Sequence, residues 1–394
     1  MSAPADMANS PLGGRRWRRS RPALAWLAAA CLALATVFAA WVVSLGPLPL
    51  AQASGNSTTI VDRNGKLLRA YAMADGRWRL PVEAKSGVDP TYLKLLLAYE
   101  DRRFRSHRGV DPLALSRAAF QFLTRGHIVS GGSTITMQLA RMMEPRRERS
   151  VYAKVRQMVR ALEIERRMNK DQILDLYLAM APFGGNLEGI RAASLAYFGK
   201  EPKRLSLAES ALLVALPQSP ETRRLDRYPE AARAARDRVL DRMVEDGIVS
   251  REDAVNANAV PVPRLRKPMP ILAPHSADQA MASVKNASVI ALTLDLSLQK
   301  ALEALARDRA IALGPNISIA ILAVDNASGD VLARAGSPDY FDDRRSGQVD
   351  MTRAVRSPGS TLKPFIYGLA FEDGLVHPES LIDDRPIRFG SLLK

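Results

Sequence analysis

The chain has 394 residues, 47% of them hydrophobic and 25% charged, which is enough for two or three domains with real cores and excludes a disordered or low-complexity protein. Its formal net charge is +15; the first 45 residues hold five Arg against one Asp, so about +11 is spread over the rest, and an excess that wide favours an anionic partner. The single Cys31 excludes an internal disulfide.

Residues 23–45 carry no charge and are almost wholly apolar. As a helix they span roughly 34 Å, enough to cross the hydrocarbon core of a bilayer. Arg15, Arg16, Arg18, Arg19 and Arg21 precede this run, and the first charge after it is Asp62. The positive-inside rule therefore leaves residues 1–22 in the cytoplasm as a basic arm and the rest outside. Trp26 and Trp41 sit near the two ends, where interfacial aromatics are favoured. Ala51-Gln52-Ala53 resembles the cleavage site of a signal peptide, but the apolar run exceeds the roughly 7–15 residues of such a region, so an uncleaved anchor is expected. Either topology exports the body of the protein to the extracytoplasmic side, which argues against nucleic acid as partner and for inner-membrane lipids.

Residues 46–57 read as a short linker, and Thr58–Tyr71 as a hairpin with Arg63-Asn64-Gly65 as its turn. From Pro90 to about Ala259 apolar residues recur at three and four, as in Val151–Met168, Ile173–Met180, Leu205–Leu216 and Ala231–Val244, which predicts helices. Gly- and Pro-rich breaks such as Pro182-Phe183-Gly184-Gly185-Asn186 and Pro217-Gln218-Ser219-Pro220 punctuate them. One mainly α domain over 58–259 is expected. Five prolines between 260 and 274 predict an extended connector there, within a Pro-rich linker over 260–288. Beyond it, Val289–Leu294, Ile317–Val324 and Val331–Ala335 read as strands and Ser297–Ile311 as an amphipathic helix, the opening of an α/β domain over 289–394.

Two clusters carry chemistry. Glu100-Asp101 ends a predicted helix, where apolar neighbours and the negative end of the helix dipole make a carboxylate a better proton acceptor. Arg102, Arg103, Arg105 and Arg108 would hold an anionic substrate close. Gly131-Gly132-Ser133-Thr134 then opens a helix, and a capped helix N-terminus with free N–H groups and hydroxyls is an anion site. It is not a P-loop, because Gly132 stands where that motif needs Lys and no strand precedes it. Residues 141–170 carry ten Lys/Arg against four Glu, and Lys154, Arg156 and Arg160 on one helix would form a basic face lying on anionic lipid. The second cluster is Ser360-Thr361-Leu362-Lys363, a Ser-x-x-Lys in which one turn brings the amine to the hydroxyl. The bare pattern also fits Ser297–Lys300; what sets Ser360 apart is Pro358-Gly359 before it, expected to expose it at the start of a buried helix.

Four ordered motifs carry a resemblance. Glu100-Asp101-x-x-Phe104-x-x-His107-x-Gly109, Gly132-Ser133-Thr134-Ile135-Thr136-x-Gln138, Lys170-Asp171-Gln172-Ile173-Leu174-x-x-Tyr177-Leu178 and Gly189-Ile190-x-x-Ala193-x-x-Ala196-Tyr197-Phe198-Gly199-Lys200 resemble the family 51 peptidoglycan glycosyltransferases. The resemblance implies a lysozyme-like helical domain that polymerises lipid II into a growing glycan strand. In it Glu100 would be the general base, and Asp101, Phe104, His107, Gly132, Ser133, Thr134, Thr136, Gln138, Lys154 and Gln157 would hold substrate and pyrophosphate. His107 is expected to orient its loop rather than to move protons. Other cell-wall synthesis proteins are candidate partners, and Mg2+ or Mn2+ is a candidate cofactor for this step. Departures from the family pattern put the metal in doubt. Gln157 stands where that pattern has a glutamate, Ala153 where it has Arg, Met137 where it has Gln and Ala179 where it has Asn. These changes resemble the 1C type of class A penicillin-binding protein.

Arg353–Phe365 resembles the acylation motif of the penicillin-binding transpeptidases, with Ser360 as nucleophile and Lys363 as its base. That resemblance implies a serine β-lactamase-like α/β fold. Neither a Ser-x-Asn nor a Lys-Thr-Gly occurs between Lys363 and Lys394, so an incomplete transpeptidase domain, unable to form a penicilloyl enzyme, is expected. The competing readings are a catalytically idle scaffold of a wall-synthesis complex and, behind it, a muramidase-like hydrolase.

Overall fold

The structure, a computed structural model, describes residues 20–125, 132–144, 150–284, 287–383, 388–389 and 392–393. Most of the basic arm, Gly131 and Gly390 lie outside the described residues. The chain forms two compact units, Met1–Leu272 with Ala277–Leu292, and Ala273–Ser276 with Thr293–Lys394.

In the first unit, helix α1 (Ser20–Ser44) is exposed over residues 25–40, and its Ala25–Ser44 part is long and apolar enough to cross a membrane. A short helix α2 (Leu50–Ala53) leads to strands β1 (Thr59–Val61) and β2 (Leu67–Ala70), paired antiparallel with Thr59 opposite Ala70. Their turn closes because Asp62 Oδ1 accepts from the Asn64 and Lys66 N–H groups at 2.8 Å each, an Asx arrangement, while Gly65 takes φ +76°. Next come β3 (Trp78–Arg79), α3 (Ala84–Gly87), α4 (Pro90–Glu100), α5 (Pro112–Arg125), α6 (Ile135–Met143), α7 (Val151–Arg167) and α8 (Lys170–Met180). Strand β4 (Leu187–Glu188) pairs parallel to β3 and precedes α9 (Ile190–Phe198), α10 (Leu207–Ala215), α11 (Pro229–Glu245) and α12 (Arg251–Ala259).

Helix starts follow local chemistry. Asp89 caps α4 through the Thr91 N–H with Pro90 in the first turn, and capping boxes open α8 (Asn169 with Gln172) and α10 (Ser206 with Glu209). Helix α10 is the centre of the packing. Its residues Ala211–Ala215 are buried, and it lies against α4, α11 and α12, while α6 packs on α7 and α8. Leu95 and Leu96 of α4, Ile173 and Leu178 of α8 and Leu213 of α10 share one continuous core, each burial stabilising by about 1.5–3 kcal/mol.

Two features differ from the sequence expectation. Within the Pro-rich linker 260–288, beyond the stretch expected to be extended, residues Pro274–Ser283 form helix α13, which the sequence reading did not assign. The strand expected to open the second domain, β5 (Val289–Ala291), instead pairs parallel to β1 and completes a three-stranded sheet β2-β1-β5. A short β-branched run fixes strand type but not its partner.

Arg160 is the other surprise. It is 2% exposed, and its guanidinium donates to the carbonyls of Leu45 at 2.7 Å and Gly46 at 2.9 Å, just beyond the end of α1. Glu144 and Glu163 hold it from the other side, and Arg156 also reaches Glu144. Burial opposes the charge on Glu144, but Arg156 and Arg160 outweigh it and hold its carboxyl below the usual range. Trp41 Nε1 donates to the Tyr152 hydroxyl at 3.0 Å beside this knot. The face predicted to lie on lipid is thus largely spent: Arg156 and Arg160 face Glu144, and Lys154 faces Ser133.

In the second unit, α14 (Leu296–Leu313) packs on the hairpin of β6 (Ile321–Val324) and β7 (Val331–Ala335). The fully buried Gln299 binds the Arg334 backbone like a strand, with Nε2 to its carbonyl and Oε1 from its N–H, both at 2.8 Å. Helix α15 (Lys363–Glu372) and the short strands β8 (Arg388–Phe389) and β9 (Leu392–Leu393) follow.

Arg160→Ala strips two carbonyls and two carboxylates of a donor. We expect it to lower the stability of the detergent-solubilised chain by about 1–3 kcal/mol and to open residues 46–57 to proteinase K. An unchanged melting curve and cleavage pattern would contradict this.

Candidate active site

Helix α4 ends where two adjacent carboxylates part company. Asp101 turns inward and is 6% exposed, accepting from the Ile135 N–H at 2.9 Å and from His107 Nε2 at 2.9 Å. The Gly109 N–H donates to His107 Nδ1 at 3.1 Å, which places the ring proton on Nε2, facing Asp101. Thr134 caps α6 by accepting from the Met137 N–H and donates its own hydroxyl to the Gly109 carbonyl at 2.5 Å. Gly109 is required here. Its φ is +86°, and a Cβ would sit 2.7 Å from the Ala161 carbonyl oxygen. Asp111 closes the same loop on the Leu113 and Ala114 N–H groups, and the Arg103 guanidinium beside it holds its carboxyl below the usual range.

Glu100 turns the other way, half-buried, and each of its oxygens accepts one amide. Gln138 Nε2 of α6 donates to Oε2 at 2.7 Å, and Gln218 Nε2 to Oε1 at 2.8 Å. Behind Gln138 stands the Tyr177 hydroxyl, 3.4 Å from its Oε1. Burial first, and then the charge of Glu100, push the Tyr177 and Tyr92 hydroxyls far up. A carboxylate oxygen has two lone pairs, so this arrangement leaves acceptor capacity on both oxygens. Gln218 was not singled out by sequence reasoning, which read Pro217-Gln218-Ser219-Pro220 only as a helix break.

A cationic wall adjoins the start of α6. Lys154 Nζ of α7 donates to the Ser133 hydroxyl, and burial, then the nearby Arg141, push its ammonium down. Thr136 donates to Glu165 at 2.7 Å, and Lys170 pairs with the same carboxylate at 2.6 Å while lying 4.6 Å over the buried Phe104 ring. Gly132 is held against Leu115, whose Cδ2 would be 2.8 Å from a Cβ. Gln157 lies on α7 beyond Lys154, half-buried, with no hydrogen bond among the described residues.

These residues do not fit a divalent cation. Among the described residues no group of three His, Cys, Asp or Glu side chains comes together, Gln157 offers no charge, and Glu165 is already matched by Lys170.

In the second unit, Ser360 lies in the single turn Gly359–Leu362, and Lys363 begins α15. Both are exposed; the Lys363 N–H donates to the Ser360 carbonyl, but among the described residues no side-chain hydrogen bond joins the two. The helix after Ser360, expected to be buried, is exposed, as Phe365, Ile366 and Leu369 are.

Residues 64–244 match the transglycosylase family model, and residues 319–392 the model of the penicillin binding protein transpeptidase domain. The chain is 45% identical to penicillin-binding protein 1C of Escherichia coli over 366 residues, 93% of this chain and 47% of that protein. It is 30% identical to penicillin-binding protein 1F of Bacillus subtilis over 351 residues, 85% of this chain and 48% of that one. With penicillin-binding protein 1A of Escherichia coli it shares 37% identity over 206 residues, 50% of this chain and 24% of that one. The chain thus spans about half the length of the first two relatives.

Asp101→Asn keeps the side chain's shape but can satisfy only one of its two buried donors. It should cost about 1–3 kcal/mol and expose residues 102–108 to trypsin at their arginines. Wild-type stability and protection in this variant would show that the pin is dispensable.

Proposed function

The chain belongs to the transglycosylase family over residues 64–244 and carries part of a penicillin-binding transpeptidase domain, and on that premise we propose that it polymerises lipid II into peptidoglycan glycan strands. The observation that carries the reading is Glu100, a carboxylate clamped by two amides at a helix end with acceptor capacity left on each oxygen.

In this reading Glu100 takes the proton of the acceptor sugar's 4-hydroxyl as that oxygen attacks the anomeric carbon of the lipid-linked donor. The bond to the pyrophosphate breaks on the opposite face, so configuration inverts and undecaprenyl pyrophosphate leaves. Lys154, Ser133 and the N-terminus of α6, which Thr134 caps, receive the charge that grows on the leaving group. With no carboxylate at Gln157, the lysine supplies the fixed positive charge there. Asp101 and His107 act on loop shape, not on protons.

Helix α1 anchors the chain once in the inner membrane, with the arginines at 15–21 on the cytoplasmic side and the catalytic unit on the periplasmic side. The growing strand, bilayer lipids and other wall-synthesis proteins are its partners in this account. Ser360 and Lys363 are the acyl nucleophile and its base in the transpeptidase half.

The test is the intact chain in detergent with labelled lipid II. Wild type should yield glycan polymer, Glu100→Gln none, and Lys154→Ala a rate lower by about 10²-fold. Shortening of preformed glycan would point to a hydrolase instead, and no turnover by wild type to a scaffold.

A further inference from the structure

Gln218 ends the single turn that follows α10, a helix buried throughout Ser210–Ala215. Leu216 and Pro217 before it are buried, and the Ser219 N–H closes the turn on the Leu216 carbonyl at 3.1 Å. The backbone is therefore rigid, and only the side chain reaches solvent. Arg223 stands behind that side chain. Its Nη1 donates to the Ala215 carbonyl at the end of α10 at 2.5 Å and lies 3.5 Å from Gln218 Oε1.

A guanidinium has donors only, so it faces the amide oxygen and turns the NH2 group of Gln218 towards Glu100. The same logic runs on the inner side, where the Tyr177 hydroxyl faces Gln138 Oε1 and turns its NH2 towards the other carboxylate oxygen. Each oxygen of Glu100 thus meets an amide whose orientation is set by a donor behind it. The two sides are not equivalent: Gln138 is half-buried and Gln218 exposed, so Gln218 holds the oxygen on the side from which a hydroxyl can enter.

We propose that Gln218, backed by Arg223, is a positioning residue that fixes the solvent-side oxygen of Glu100 for proton abstraction. This rests on the reading of Glu100 as the base. The amide donates to the charged form of the carboxylate, so losing it removes aim and favours the protonated form.

Among the described residues, the Tyr92 hydroxyl on α4, the Tyr177 hydroxyl on α8 and Arg223 after α10 feel the charge of Glu100. Neither tyrosine ionises between pH 5 and 9, since burial pushes both far up, and arginine stays charged. His107 faces Asp101 and Gly109, and is the same in every variant compared.

The experiment is steady-state lipid II polymerisation across pH by the intact chain, comparing wild type, Gln218→Met, Gln218→Glu and Glu100→Gln. Gln218→Met keeps length without the donor. It should lower kcat about tenfold, leave KM within about twofold, and move the acid limb of the rate profile to higher pH. Gln218→Glu should move that limb further, because a second carboxylate disfavours the charged form of the first. A merely structural role would not order the acid limb by the charge at 218. If Glu100→Gln is inactive while both 218 variants keep wild-type kcat and acid limb, the inference is wrong and the base reading survives. Polymer from Glu100→Gln would overturn the base reading, and this inference with it.

Discussion

The buried Asp101 carboxylate is the pin on which the site turns. It joins three pieces of chain that sequence keeps apart: the end of α4, the loop through His107 and Gly109, and the first N–H of α6. Those bonds set the direction of everything around them. Because Asp101 faces inward, Glu100 before it must face out, and because Ile135 is held, the capped start of α6 presents Ser133 beside Lys154. In the proposed reading, a base and an anion-receiving helix end therefore come from one stretch of chain.

The scaffold behind the pin is helical packing of an ordinary kind with one unusual member. Helix α10 is so thoroughly buried that it acts as a fixed post, and both α4 and the turn bearing Gln218 take their positions from it. At the far end of the unit, Arg160 gathers the carbonyls after α1 into a knot with Glu144 and Glu163. Buried arginines of this sort act through donor geometry as much as charge, since five N–H groups in one plane can hold several chain segments at once.

Much of this was legible in the sequence, and what was not had a physical reason. Helices declared themselves by apolar spacing and by caps such as Asn169 and Ser206, because both signals are local. Glu100 stood out because the apolar run before it, the acidic pair and the basic residues after it all lie in one short stretch of sequence. Gln218 did not, since 118 positions separate it from Glu100 and its own surroundings carry only turn signals. Arg160 looked like one member of a solvated basic stripe, because periodicity cannot reveal that Glu144 and two backbone carbonyls lie opposite. The strand at Val289–Ala291 was assigned forward in the chain although it pairs back to β1, a contact that no pattern within either strand encodes.

In the proposed reaction a single displacement takes place at the anomeric carbon, with one carboxylate taking a proton and forming no bond to sugar. The most direct measurement is the anomeric configuration of the linkage formed from labelled lipid II by the intact chain. Complete inversion relative to the sugar diphosphate is the predicted result. Retention would contradict the account, because it would require a covalent sugar–enzyme intermediate and give Glu100 a different part.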